Sequence, residues 1–341
     1  MRPTEGHKRI DILDYLRGFA LLGIILVNIL PLLAVKVPEP DSVDAAYQQF
    51  LFLFVEGRFY TLFSFLFGVG FYLFISRANA KGKNGYVLFL RRVAALFILG
   101  WFHVKFHPGE ALTVYAVTGL FLLPFYKMKK EINLCIGLIL LIAISSMAFK
   151  LFMIVPLMLL GIAAGQYRLF VGLAEKIKKA SFVTAILLVM SIVALVNQYQ
   201  HAPSSPFDLI AGVDEVTYTF LSIGIKIGPA ITALYVGLLV LLLQVPFIQK
   251  LLSPLKSYGR MALTNYIFQT VFIYLAGYVF DLFNNISYLQ SLTVCLIIYA
   301  IQLVFSVIWL RYFQYGPLEW IWRVVTYLEV PPLKKPVREV Q

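Results

Sequence analysis

Ten apolar runs, separated by short polar breaks, occupy positions 12–33, 59–77, 87–106, 111–126, 132–149, 151–167, 182–197, 219–243, 261–280 and 288–310. Most are about 17–25 residues long, enough for an α-helix to cross a ~30 Å hydrocarbon core. The pattern predicts an all-α, polytopic bundle of ten transmembrane helices, with no room for a soluble domain between them. A further apolar stretch, Tyr47–Val55, is too short to span and is expected to lie in an interface or to re-enter. After the tenth run the chain reads Tyr315-Gly316-Pro317-Leu318-Glu319-Trp320-Ile321-Trp322-Arg323. Gly316 suits a helix end and Pro317 a helix start, which predicts a short interfacial helix with its Trp side chains at headgroup level. Residues 1–329 read as one transmembrane domain, and 330–341, rich in Pro and Lys, as a disordered tail.

Charge orients this map. Twenty-three of the twenty-nine Lys and Arg residues fall on one side of the map, in the two terminal segments and in alternate breaks with the run ends beside them, which carry Arg77, Lys81, Lys83, Arg91, Arg92, Lys127, Arg168, Lys256 and their neighbours. The intervening breaks hold only Lys36, Arg58, Lys105 and Lys150, while Arg17 and Lys226 lie within runs. Basic residues collect in cytoplasmic loops, so ten crossings with both termini inside are expected.

Hydrophobic residues make up 60% of the chain and charged residues 13%, against roughly a quarter charged in soluble domains. The formal net charge of +12 therefore needs no nucleic-acid partner, because the cations face anionic lipid. The first run follows Lys8 and Arg9 but is too long for a signal peptide and lacks a small-residue cleavage site. Cys135 and Cys295 stand in separate runs, and the four His residues show no ligand spacing, so no metal site is expected. Gly224, Gly228 and Pro229 predict a kink in the eighth helix.

Three groups of residues could carry chemistry. Asp14, Arg17 and Asn28 share a face of the first helix, with Arg17 and Asn28 about 16 Å apart along its axis. Either this stripe lines a polar conduit, or it is an Asp–Arg pair at the membrane edge plus a helix-packing amide. His103, His107 and Glu110 cluster in the turn after the third helix, where Pro108 disfavours continuation. An imidazole held by a carboxylate is a general-base arrangement, with His103 the deeper of the two, although polar capping of a solvated turn gives the same pattern. Arg91 and Arg92, near Arg77, Lys81 and Lys83, suit the phosphates of a nucleotide-like donor or simply mark a cytoplasmic loop. No nucleophile elbow and no P-loop occurs.

Longer stretches carry a resemblance. Asp14-x-x-Arg17-Gly18-x-Ala20-x-x-Gly23-Ile24-x-x-x-Asn28 and Phe59-Tyr60-Thr61-Leu62-Phe63-Ser64-Phe65-Leu66-Phe67-Gly68-Val69-Gly70 resemble segments of the bacterial YeiB family of membrane proteins. So do Gly109-Glu110-x-Leu112-x-x-Tyr115-Ala116, Gly259-Arg260-Met261-Ala262-Leu263-Thr264-Asn265-Tyr266 and Gly316-Pro317-x-Glu319-Trp320. The last two fall in a C-terminal signature over 250–329. That family looks related to transmembrane acyltransferases, which pass an acyl group from cytoplasmic coenzyme A to an acceptor across the membrane.

The resemblance implies acetyl- or acyl-coenzyme A as donor, bound through Arg17, Asn28, Arg91 and Arg92, with His103 as base and Glu110 orienting it. It also implies a glycan, lipid or amine acceptor on the outer face. Asn28 stands where the polysaccharide O-acetyltransferases place a His, which moves the base to His103. Two other readings remain open, a permease for a small or lipid-linked solute and a non-enzymatic envelope protein. Whether the chain acts as a homodimer is also open.

Overall fold

The computed structural model describes residues 10–208 and 212–335, and it is helical throughout. The basic residues Arg2, Lys8 and Arg9 and the tail 336–341 lie outside the described residues. In chain order the α-helices are α1 Asp11–Leu33, α2 Val43–Phe50, α3 Arg58–Ala80, α4 Gly85–His103, α5 Leu112–Phe121, α6 Lys130–Ser146 and α7 Ile154–Gln166. They continue with α8 Leu173–Gln200, α9 Glu215–Leu242, α10 Pro246–Leu251, α11 Ser253–Arg260, α12 Ala262–Val279, α13 Tyr288–Tyr312 and α14 Pro317–Tyr327. Among the described residues no β-strand forms, and one isolated bridge joins Phe313 to Lys334.

Local sequence explains the boundaries. Asn84 accepts from the Tyr86 and Val87 N–H groups at the start of α4, and Asp214 accepts from Thr217 N at the start of α9. Ser287 and Gln290 form a reciprocal capping box on α13. Asp11 and Asp14 lie in the first turn of α1, where the helix dipole favours negative charge. α9 runs through Pro229 as one helix, so the loosening residues do not divide it.

Each of the ten apolar runs contains a helix. Among the described residues six stretches are long and apolar enough to cross a membrane: Asp11–Leu33, Val43–Ala80, Gly85–His103, Glu175–Gln200, Glu215–Leu242 and Tyr288–Tyr312. The other four runs hold α5, α6, α7 and α12, of 10, 17, 13 and 18 residues. The outward faces carry large apolar side chains, for example Phe182, Val189 and Val193 of α8. A surface of this kind belongs in a lipid bilayer.

α1 is central. It packs against α3, α11, α12 and α13, while α6 packs on α7, α8 on α9 and α4 on α5. Close approach needs small residues. A Cβ on Gly259 of α11 would fall 1.8 Å from the Asp14 carbonyl oxygen, so any side chain there would drive α11 off α1.

Two sequence expectations differ from what forms. Tyr47–Val55 neither lies on the surface nor spans alone. It is the end of α2 and a π-helical turn whose Leu51, Phe52, Leu53 and Val55 are buried. The carbonyl groups freed there are taken up by Arg58, which is fully buried and donates to the carbonyls of Leu53, Glu56 and Gly224 and to Gln198 Oε1. The indole N–H groups of α14 find partners within the protein, since Trp320 Nε1 donates to Pro331 O and Trp322 Nε1 to Arg92 O. Finally, the first part of the expected disordered tail is ordered. Gln314 N donates to Leu333 O and Lys335 N to Tyr312 O, laying 331–335 along the end of α13.

Candidate functional site

A cavity of about 1250 Å³ runs through the bundle beside α1. At one end, called here the basic end, its walls include Arg77, Lys81, Lys83, Arg92, Arg260 and Arg323. Asp14, Arg17 and Asn28 line it along α1. At the far mouth stand Glu56, Tyr60, Lys150 and Asp208, with the Glu56 and Lys150 side chains ion-paired. Glu110, Tyr115 and Tyr266 form part of the wall between.

The basic end is built by α1, α3, α4 and α14. Arg17 Nη1 donates to Asp14 Oδ1 at 3.1 Å, and this buried carboxylate holds the guanidinium toward the cavity. Arg17 also lies against Gly70 of α3, where a Cβ would stand 3.6 Å from its Nη2. Arg92 is held between the rings of Phe74 and Trp322, and Arg323 lies over Tyr315 and Tyr327. Lys83 reaches Glu329 at 3.1 Å. Cationic and aromatic groups therefore alternate around one opening. Arg91 is exposed and is not among the residues lining the cavity, and Lys226 is likewise exposed.

The second cluster forms where α4 ends. His103 occupies its last turn, Gly109 at φ 85° reverses the chain, and Glu110 arrives just before α5. The Glu110 carboxylate accepts from the N–H groups of Leu112 and Thr113 and from the Thr113 hydroxyl, satisfying free N–H groups of the new helix. His103 Nδ1 stands 3.6 Å from Glu110 Oε1, a contact longer than a hydrogen bond. On its other side His103 Nε2 is 2.9 Å from Thr270 Oγ1 of α12, and the same oxygen is 3.2 Å from His107 Nδ1. The two imidazoles stack with centroids 5.2 Å apart.

Burial tunes the turn. It pushes the His107 imidazole down to about 4, helped by the neighbouring His103 and opposed by Glu110. Burial would raise the Glu110 carboxyl, but the His103 imidazole and the Thr113 and Leu112 donors outweigh it and hold the group below its ordinary value. His107 is thus neutral and Glu110 ionised at neutral pH.

His103 and His107 lie behind the wall rather than in it, whereas Glu110 and Tyr266 reach the cavity. This reverses the arrangement expected from the sequence, in which the imidazole faced the substrate and the carboxylate stood behind. Thr270, Tyr266 and Trp322 were not singled out in the sequence as parts of the site. A threonine at 270 inside an apolar run carries no signal of its own, since its role depends on an element 163 residues away. The Gly316–Trp320 motif and the Gly259–Tyr266 motif meet directly. Glu319 accepts from Leu263 N, Thr264 N and the Thr264 hydroxyl, capping α12. Among the described residues no three His, Cys, Asp or Glu side chains are grouped to hold a metal ion.

Comparison with known proteins finds relatives along nearly the whole chain. The family model "Protein of unknown function (DUF418)" matches residues 164–329. An "Uncharacterized 39.9 kDa protein in amylase 3'region" of Bacillus acidopullulyticus is 58% identical over 334 residues, covering 96% of each chain. YxaH of Bacillus subtilis is 27% identical over 404 residues, covering 98% of each chain. YeiB of Escherichia coli is 27% identical over 401 residues, covering 94% of this chain and 97% of its own. With relatives matched along nearly its whole length and the DUF418 model over its residues 164–329, this multi-pass membrane protein belongs to the YeiB family.

Proposed function

We propose that the protein is a membrane acyltransferase, taking an acyl group from acyl-coenzyme A at the basic end and delivering it to an acceptor that enters from the far mouth. The observation that carries this reading is the single cavity joining a cationic, aromatic-lined opening to a buried carboxylate–imidazole pair. Arg17, Arg77, Arg92 and Arg323 supply the donors that phosphates require, and guanidinium groups backed by rings keep little freedom to lose on binding. The long volume beside α1 accommodates a flexible thioester arm. Asn28 offers it an amide on the same face as Arg17.

The chemistry needs one proton relay. As an acceptor hydroxyl or amine attacks the thioester carbonyl, its proton passes to the Glu110 carboxylate. The C–S bond then breaks and the departing thiolate, whose conjugate acid has a pKa of about 8.5, takes that proton, so atoms and charge balance. A carboxylate held below its ordinary value gives the proton up readily to the thiolate, whose conjugate acid is the weaker one. His103 backs Glu110 and fixes its orientation. The membrane arrangement belonging to this reading has ten crossings and both termini in the cytoplasm, in the bacterial cytoplasmic membrane. It places the donor site inside and the acceptor, a glycan, lipid or amine, outside.

The test is binding of radiolabelled acetyl-coenzyme A to purified protein in nanodiscs. Saturable binding that is lost in an Arg77→Ala, Arg92→Ala double variant supports the reading. No saturable binding overturns it. The continuity of the cavity from end to end also favours a second reading, passage of a small or lipid-linked solute. Solute uptake by proteoliposomes that need no acyl donor would select it.

A further inference from the structure

Thr270 sits midway along α12 and is buried, as are both histidines it touches. Most threonines in these helices bond locally. Thr184 and Thr232 donate to the carbonyl four residues earlier, at 2.7 and 2.9 Å. The Thr270 hydroxyl instead meets His103 Nε2 at 2.9 Å and His107 Nδ1 at 3.2 Å. A hydroxyl has one proton and can donate it only once. At most one imidazole can therefore receive the Thr270 proton, and the other must donate to its oxygen.

Glu110 decides which. Its carboxylate is fixed by two backbone N–H groups and the Thr113 hydroxyl, and Oε1 faces His103 Nδ1 at 3.6 Å. That nitrogen is buried and has no hydrogen-bond partner closer. A bare lone pair there would confront an anion, whereas an N–H is attracted to it. So His103 carries its proton on Nδ1, and its Nε2 accepts from Thr270. The Thr270 oxygen, its proton committed, accepts from His107 Nδ1–H. We infer that Thr270 is a positioning residue that sets the proton sense of a four-membered chain, His107 to Thr270 to His103 to Glu110, holding both imidazoles in their Nδ1–H form.

This has a consequence for the carboxylate that reaches the cavity. A chain of hydrogen bonds that all point one way presents a fixed N–H dipole to Glu110 and prevents the His103 ring from flipping. The proton sense stands independently of the acyl-transfer reading, while the contribution of Thr270 to turnover rests on it.

The experiment uses 15N-histidine-labelled full-length protein in lipid, read by solid-state NMR, with signals assigned from His103→Gln and His107→Gln. In the wild type both rings are expected to be protonated at Nδ1. Thr270→Ser, which keeps the hydroxyl, should preserve both. Thr270→Val should return His107 to the Nε2–H form that free imidazoles prefer. A wild-type His107 protonated at Nε2, or an unchanged His107 in Thr270→Val, overturns the chain. Turnover of acetyl-coenzyme A supplies the second arm. Thr270→Val should lower kcat by up to about tenfold, no more than the loss of His103 itself, with KM for the donor unchanged, and Thr270→Ser should restore it. An unchanged kcat in Thr270→Val overturns the positioning role even if the tautomers are as stated.

Discussion

The guanidinium carbon of Arg92 stands 3.5 Å from the centroid of the Trp322 ring, and the Trp322 indole N–H returns to the Arg92 carbonyl at 2.8 Å. Two residues 230 apart in sequence thus latch α14 onto α4 at the basic end of the cavity. A cation–π contact of this kind is worth about 1–2 kcal/mol where water is partly excluded. Trp322→Leu removes both the ring and the N–H, so amide exchange across 317–327 should rise roughly tenfold relative to wild type. Exchange unchanged in hydrogen–deuterium mass spectrometry would show that α14 is held by other contacts.

The same latch bears on the basic end of the cavity, since Arg92 is one of the cations lining the opening. The fold's two most specific sequence motifs also meet nearby, at the Glu319 cap of α12. This explains what the sequence could and could not reveal. The helices were legible because apolar length and boundary residues such as Asn84, Asp214 and Ser287 act locally. Arg17 and Asn28 were legible because helical geometry alone puts them on one stripe. Tertiary facts were not. Nothing near Arg58 announces that it will be fully buried against Gly224 and Gln198, and its position in a break reads as an ordinary loop cation. The order of Glu110 and His103 along the line of sight from the cavity likewise depends on where α12 places Tyr266 and Thr270. Arg91 and Arg92 are indistinguishable as neighbours in sequence, yet only Arg92 turns toward α14 and the cavity.

Glu110 and His103 should separate in their effects on turnover. Under the acyl-transfer reading, Glu110→Gln keeps the shape and removes the proton acceptor at the cavity wall. A loss of about 10²–10³ in kcat is expected, the scale of general-base catalysis. His103→Ala leaves the carboxylate but removes the group that backs it, and should cost less, about tenfold. Donor binding should be unchanged in both, because neither residue is at the basic end. Should His103→Ala prove far more damaging than Glu110→Gln, the imidazole would be the proton acceptor and the order proposed here would be reversed.

His107 makes stability depend on pH. Its imidazole is pushed from the ordinary 6.5 to about 4 by burial, with His103 adding to the effect. The unfolded chain therefore binds a proton that the folded chain refuses between those values. Stability is full above pH 6.5 and falls as the pH drops toward 4, by up to roughly 3 kcal/mol. Glu110, held below its ordinary 4.5, adds a loss of the same sign at lower pH. Melting temperature in nanodiscs should decline between pH 6.5 and 4.5, and His107→Asn should flatten that part of the curve. An identical slope in the variant would assign the dependence to other groups.

The last expectation concerns orientation. Basic residues crowd the end of the bundle that holds the start of α4, where Arg77, Lys81, Lys83, Arg92 and Arg323 gather. The opposite loops carry few, and one of these, Arg58, is withdrawn into the protein with its charge hydrogen-bonded. Lys150 is paired with Glu56, so the far mouth presents almost no net positive charge to hold it in the cytoplasm. Ten crossings put Lys83 and the 200–208 loop on opposite faces. Single cysteines replace Lys83 and Ser204 in a chain whose Cys135 and Cys295 are changed to Ser and Ala. In intact cells a membrane-impermeant maleimide should label position 204 and spare position 83 until the membrane is permeabilised. Labelling of both from outside would mean that the short helices α5, α6, α7 and α12 do not all cross, and the donor opening would then not face the cytoplasmic pool of coenzyme A.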